Sequence, residues 1–211
     1  MTVRGEIMEN KVDNYGHRRL NYLVFDDEIF VNFIDDQRRM AIIDGKKMKD
    51  INYGGLGNIA DNGCAVIATY NVLLEHGYKK SFSNVKKSLQ LLGAPFVGGL
   101  LGTSSSGLKM YLRTKFRVVK SSKNVGEWEN IAQSTDSLII RFRWKKGKIH
   151  EHFVACIKQT DAISENPLYK VYNFGNYWIS SNRCYNISQI VCILKEHGCI
   201  PLLLVGVADK R

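Results

Sequence analysis

Residues 64–76, Cys-Ala-Val-Ile-Ala-Thr-Tyr-Asn-Val-Leu-Leu-Glu-His, are almost continuously apolar and stop at Gly77. That pattern predicts a buried helix ended by a glycine suited to the position just past a helix terminus. A second helix is predicted over 84–92, with Val85, Leu89 and Leu92 on one side and Ser83 as its N-cap. The glycines and small hydroxyl residues of 93–107 break the periodicity, and a third helix resumes over 108–116. Beyond it the pattern alternates: a strand at 117–120, a helix at 126–133, a strand at 137–144, and a hairpin turn at 145–148 into strands at 152–158 and 169–174. A short helix at 188–197 and a buried strand at 200–208 close the chain. Helices first and an antiparallel sheet afterwards predict the α+β class.

The N-terminal part has a different texture. Residues 1–18 are polar with little periodicity and are expected to form a mobile arm. Short runs at 20–25, 29–33 and 40–43, rich in aromatic and branched residues and separated by acidic turns, predict a small β meander. The expected organisation is an arm and meander over 1–50 and one domain over 51–211.

A net charge of +10 raises the question of an acidic partner such as nucleic acid. The lysines are scattered at predicted helix ends and turns, and no nucleic-acid motif accompanies them, which argues against that partner. No N-terminal apolar stretch resembles a signal peptide, and no run approaches the roughly 20 apolar residues of a membrane span. A cytoplasmic location is therefore expected. The 5 cysteines lack paired spacing and fit a reducing compartment better than a disulfide framework. Nothing in the sequence indicates a metal or an organic cofactor, and oligomeric state is not legible.

Candidate chemistry starts at Cys64, where the loop Asn-Ile-Ala-Asp-Asn-Gly at 58–63 becomes the apolar helix. Free amides and the positive end of the dipole at a helix start favour a thiolate, the nucleophilic form. Cysteine-based acyl transfer also needs an imidazole base, a group to orient it, and donors for the oxyanion. His152 opens the strand His-Phe-Val-Ala-Cys-Ile and is the best-placed base, with His150 as the alternative. On the next strand Asn173 is the expected orienter, fixing the imidazole tautomer through its side-chain carbonyl, with Asn176 held in reserve. Asn58, six positions before the cysteine, is the expected oxyanion donor beside the Cys64 amide; Asn62 and Asp61 read as ordinary loop residues leading a helix.

Taken in order, these residues resemble the papain-like cysteine peptidases, and more closely the bacterial peptidase C39-like group. The resemblance rests on a cysteine opening a helix after Asn-Gly, an amide residue six before it, His-Phe-Val-Ala at a strand start and Val-Tyr-Asn on the following strand. Gly-Thr-Ser-Ser-Ser-Gly at 102–107 is similar to the loop that leads into a helix near the active site of that group. The resemblance spans residues 53–178 and implies a papain-like fold, N-terminal helices packed on a C-terminal antiparallel sheet, with a Cys-His-Asn or Cys-His-Asp triad. It implies a hydrolase that cleaves an amide bond in a peptide or protein substrate through a Cys64 acyl-enzyme. Two departures stand out: asparagine in place of glutamine at the oxyanion position, and Asn173-Phe174 where the C39-like group commonly has aspartate followed by proline. A transglutaminase-like acyltransferase or amidase would use the same geometry. A catalytically inactive papain-like binding module is the non-enzymatic alternative.

Overall fold

The computed structural model describes residues 23–25, 28–30, 33–35, 37, 42–43, 45–99, 102–145, 151–159, 166–174 and 179–209. The expected arm at 1–18, most of the turn at 145–148, His150 and Asn176 lie outside the described residues. The chain divides into two compact units, Met1–Asn32 and Phe33–Arg211. In the smaller, β1 (Leu23–Phe25) and β2 (Glu28–Phe30) pair as an antiparallel hairpin.

In the larger unit, β3 (Ile42–Ile43) pairs with β4 (Lys46–Lys47), and β5 (Asn52–Tyr53) pairs with β6 (Gly57–Asn58). Among the described residues the expected meander is thus replaced by separate two-stranded pieces, β1 with β2 and β3 with β4. Residues 33–50 belong with the larger unit for a packing reason. Ile34, Ile43 and Met48 are buried, and Ile34 is pinned by the buried Asn71, which accepts from its N–H at 2.9 Å and donates to its carbonyl at 2.8 Å.

Helices α1 (Ile59–Asn62), α2 (Cys64–Glu75), α3 (Phe82–Leu91) and α4 (Ser105–Arg113) follow. Residues 64–73 of α2 are all buried, as expected for a helix apolar on every side. The cap of α3 is Ser81, whose side chain accepts from the Asn84 N–H, in place of the expected Ser83. Helix α4 starts three residues before the expected 108, because Ser104 caps it by accepting from the Gly107 N–H.

The rest of the chain gives β7 (Val118–Ser122), α5 (Trp128–Gln133), β8 (Ser137–Trp144), β9 (Glu151–Gln159), β10 (Leu168–Tyr172), β11 (Cys184–Tyr185), α6 (Ile187–Glu196) and β12 (Cys199–Ala208). Six of these strands form one antiparallel sheet in the order β11-β10-β9-β8-β12-β7, and the fold is α+β. Strand alternation sorts the core. Leu138, Ile140 and Phe142 of β8 and Val154 and Cys156 of β9 face a cluster built with Trp128 of α5 and Ile190 and Leu194 of α6. Their neighbours Ile139, Phe153, Ala155 and Ile157 are buried on the opposite face, where α2 packs on β8 and β9.

One register detail positions the chemistry. The ladder between β9 and β10 ends at Ala155–Tyr172, so the edge of β9 at residues 151–154 extends past its neighbour. The N-terminus of α2 meets that edge.

Candidate active site

Cys64 is the first residue of α2, after Gly63 has closed α1 with an N–H bond to the Ile59 carbonyl. A Cβ at Gly63 would lie 2.7 Å from the Ile59 carbonyl oxygen, so a larger residue would strike the turn of α1 that it closes. Cys64 is only 4% exposed. The Phe153 N–H of β9, followed by the Ala65 and Cys64 N–H groups at the helix start, favours the thiolate. Burial outweighs them and pushes the thiol up to about 11, with the Glu151 charge acting in the same direction. Helix position alone therefore does not make Cys64 a thiolate at neutral pH.

The open edge of β9 supplies the surroundings. Asn173 follows the last residue of β10 and adopts φ 65°. Its side-chain amide donates to the Phe153 carbonyl at 3.1 Å and to the Cys64 carbonyl at 3.4 Å, tying the helix start to the strand. The ring of His152, packed edge-on to Phe142 at 5.6 Å between centroids, bonds through Nε2 to the backbone carbonyl of Asn173. A carbonyl oxygen can only accept, so Nε2 carries the proton and the lone pair of the neutral ring lies on Nδ1. Asn173 thus meets His152 as the sequence suggests, but through its backbone oxygen. Its side-chain Oδ1 is buried without a hydrogen-bond partner.

Asn58 carries a structural task that the sequence reading did not include. It is the N-cap of α1: Oδ1 accepts from the Asp61 N–H at 2.9 Å, and Nδ2 donates to the Asp61 carboxylate at 2.7 Å. Its amide is engaged by a neighbour three residues away, and reaching an oxyanion would require exchanging that bond.

Further groups surround the site. Arg141 of β8 bonds Glu151 through Nε and Nη2 and donates from Nη1 to Ser105 at 2.6 Å, fixing a charge pair one residue from His152. Tyr53 and Thr103 are joined hydroxyl to hydroxyl at 2.6 Å. Around them the β5–β6 hairpin and the loop at 96–99 approach backbone to backbone: Leu56 N–H donates to the Gly98 carbonyl at 3.0 Å, and a Cβ at Gly99 would collide with the Tyr53 carbonyl oxygen. The adjacency of Glu151 and His152 was visible in the sequence and Thr103 lies in the glycine-threonine loop at 102–107 that the resemblance points to, whereas Tyr53 and Arg141 carry no local signal.

Elsewhere His76 lies 3.1 Å from the Ser137 hydroxyl and 3.6 Å from an Asp209 oxygen, a Ser-His-Asp order. Ser137 is fully buried, so this set clamps the end of α2 to the sheet and offers no nucleophile. A cleft of about 380 Å³ lined by Val125, Glu129, Ile187, Val191 and Lys195 opens between α5 and α6, and no residue of the Cys64 site lines it. No helix among the described residues is long and apolar enough to cross a membrane. No family model matches the chain, and no curated protein matches it.

Proposed function

We propose that this protein is a papain-like cysteine hydrolase acting on an amide bond of a peptide or protein. The observation that carries the reading is the His152–Asn173 contact, which fixes the Nε2–H tautomer of an imidazole on the residue preceding Phe153, whose backbone N–H is directed at the Cys64 sulfur. In this reading Nδ1 of His152 takes the thiol proton as the sulfur attacks the substrate carbonyl. The tetrahedral oxyanion is held by the Cys64 N–H. The imidazolium then protonates the leaving amine, and an incoming water, deprotonated by the same nitrogen, releases the acid and restores the thiol. His152 works here as a base during attack, because burial opposes a standing thiolate.

All 5 cysteines are free thiols, which suits a reducing, cytoplasmic setting. The burial of Cys64 favours one second reading, a papain-like binding module that has lost catalysis. Incubation with p-nitrophenyl acetate and peptide mass spectrometry separates the two. A hydrolase acquires an acetyl group at Cys64 that water removes, and His152→Ala slows both steps. A module remains unacylated at Cys64. An amine that competes with water for the acetyl group would identify the acyltransferase variant of the same mechanism.

A further inference from the structure

The net charge of +10 sits in one part of the chain. Residues 76–126 contain 10 Lys and Arg and no Asp or Glu, while the rest of the chain holds 20 basic and 20 acidic side chains that cancel. The centre of that segment is a hairpin of helices, α3 and α4, packed on α2 and on each other. At one end Ala94 accepts from the Ser104 N–H at 2.7 Å, and a Cβ at Gly107 would strike the Ala94 backbone. At the other end the Tyr78 hydroxyl donates to the Lys115 carbonyl, so the two helices run antiparallel side by side. Their inward sides bury Val85 and Leu89 of α3 and Leu108, Tyr111 and Leu112 of α4. Their outward stripes read Asn84, Lys87, Leu91 and Ser106, Met110, Arg113, each at helical spacing. Exposed Lys79 and Lys80 precede α3 at the end where Arg113 lies. Among the described residues no carboxylate forms an ion pair with Lys87 or Arg113. Leu91 is 87% exposed and Met110 48%, two large apolar side chains set among these cations.

We infer that the outward face of α3 and α4 docks on the surface of an anionic lipid bilayer. Negative headgroups complement a segment that has no acidic side chain of its own. The apolar residues decide between anionic partners. A nucleic-acid backbone would answer the cations and leave Leu91 and Met110 in water, whereas the boundary between headgroups and acyl chains takes both. Lysine and arginine stems lie along that boundary while their charged ends stay at the headgroup level, so cations and apolar side chains on one face are served together. A single exposed leucine is ordinary on a protein surface. Here two such side chains share the outward face of the segment that carries the whole net charge. The inference does not draw on the chemistry at Cys64, and a Cys64→Ala protein should bind the bilayer as wild type does.

The test is co-sedimentation of the full chain with vesicles of equal parts phosphatidylcholine and phosphatidylglycerol, beside vesicles of phosphatidylcholine alone. Wild type should bind the first and not the second, and added salt should weaken the binding. A cation near an anionic surface contributes about fivefold to affinity, so Lys87→Gln, Lys109→Gln and Arg113→Gln combined should weaken binding on the order of a hundredfold. Leu91→Gln leaves the charge intact and should weaken it about tenfold through lost apolar contact. Lys158→Gln, Arg183→Gln and Lys195→Gln combined remove as many cations from β9, the segment before β11 and α6, and should change affinity no more than a few-fold, since charges away from the contact are screened. All the substituted side chains are exposed or half-buried, and unchanged thermal unfolding checks that each variant is folded. Binding to neither vesicle, or equally to both, would overturn the inference, as would equal weakening by the two triple variants or an unchanged affinity in Leu91→Gln. A single-stranded oligonucleotide bound more tightly than the anionic vesicles, and lost in the Lys87, Lys109 and Arg113 variant alone, would overturn it by assigning the face to nucleic acid.

Discussion

His152 donates from Nε2 to the backbone carbonyl oxygen of Asn173, which adopts φ 65° immediately after β10. The orienting group of the imidazole is thus a peptide oxygen held by an unusual backbone conformation. The asparagine side chain serves the neighbouring task of tying the Cys64 and Phe153 carbonyls together.

That division of labour predicts an inverted mutational pattern at Asn173. Glycine adopts positive φ without strain and keeps the carbonyl, so Asn173→Gly should preserve His152-dependent labelling of Cys64 within about threefold. Both variants lose the amide tether, but alanine also carries a left-handed penalty of about 1–2 kcal/mol, so Asn173→Ala should be the more destabilised of the two in urea unfolding. Equal loss of Cys64 labelling in both variants would assign orientation to the side chain instead.

Much of this site was legible in the sequence and part of it was not, for physical reasons. Cys64 and His152 were visible because a helix start after glycine and a strand start before an apolar alternation are local patterns. Strand β8 matches its expected bounds at 137–144, since its alternation is unbroken. The β meander failed because pairs of two or three residues are decided by packing, and the burial of Ile34 against Asn71 is a contact between residues 37 apart. The cap that Asn58 makes was not anticipated because an Asn-x-x-Asp cap and an oxyanion donor look alike in sequence. Which atom of Asn173 faces His152 depends on a backbone torsion that residue identity only permits.

At Asn58 a cap and a catalytic donor make different demands. Asn58→Ser retains a cap acceptor and loses the amide donor, and Asn58→Ala loses both. The structure predicts that Asn58→Ser deacetylates Cys64 at a rate within a few-fold of wild type, whereas Asn58→Ala loses about 1 kcal/mol of stability. A hundredfold or larger fall in Asn58→Ser, the scale of a lost oxyanion donor, would restore the catalytic role.

Glu151 raises the Cys64 thiol through its negative charge, though less than burial does. Glu151→Gln removes that charge, so the alkylation midpoint of Cys64 should move to lower pH and labelling near neutral pH should accelerate. The variant also leaves Arg141 without its carboxylate partner, and a modest loss of stability should accompany the gain in reactivity. A midpoint moved upward would contradict this electrostatic account.

Alkaline stability should report the same burial. The unfolded Cys64 thiol ionises near its ordinary 9.0 and the native one near about 11, so between those values the unfolded state holds fewer protons and stability falls as pH rises. Cys64→Ala removes this contribution. Its unfolding free energy should decline less steeply than that of wild type from pH 9 to pH 11, by up to about 1.4 kcal/mol per pH unit. Parallel declines would mean that the native thiol is not held up by burial.

The most direct test of the central claim, a thiol at Cys64 served by His152, compares iodoacetamide labelling of all 5 cysteines across pH in wild type and His152→Ala. The account predicts that Cys64, although buried, labels near neutral pH far faster than the fully buried Cys156, and that His152→Ala removes this advantage. Labelling of Cys64 as slow as that of Cys156 in wild type, unchanged in His152→Ala, would contradict it.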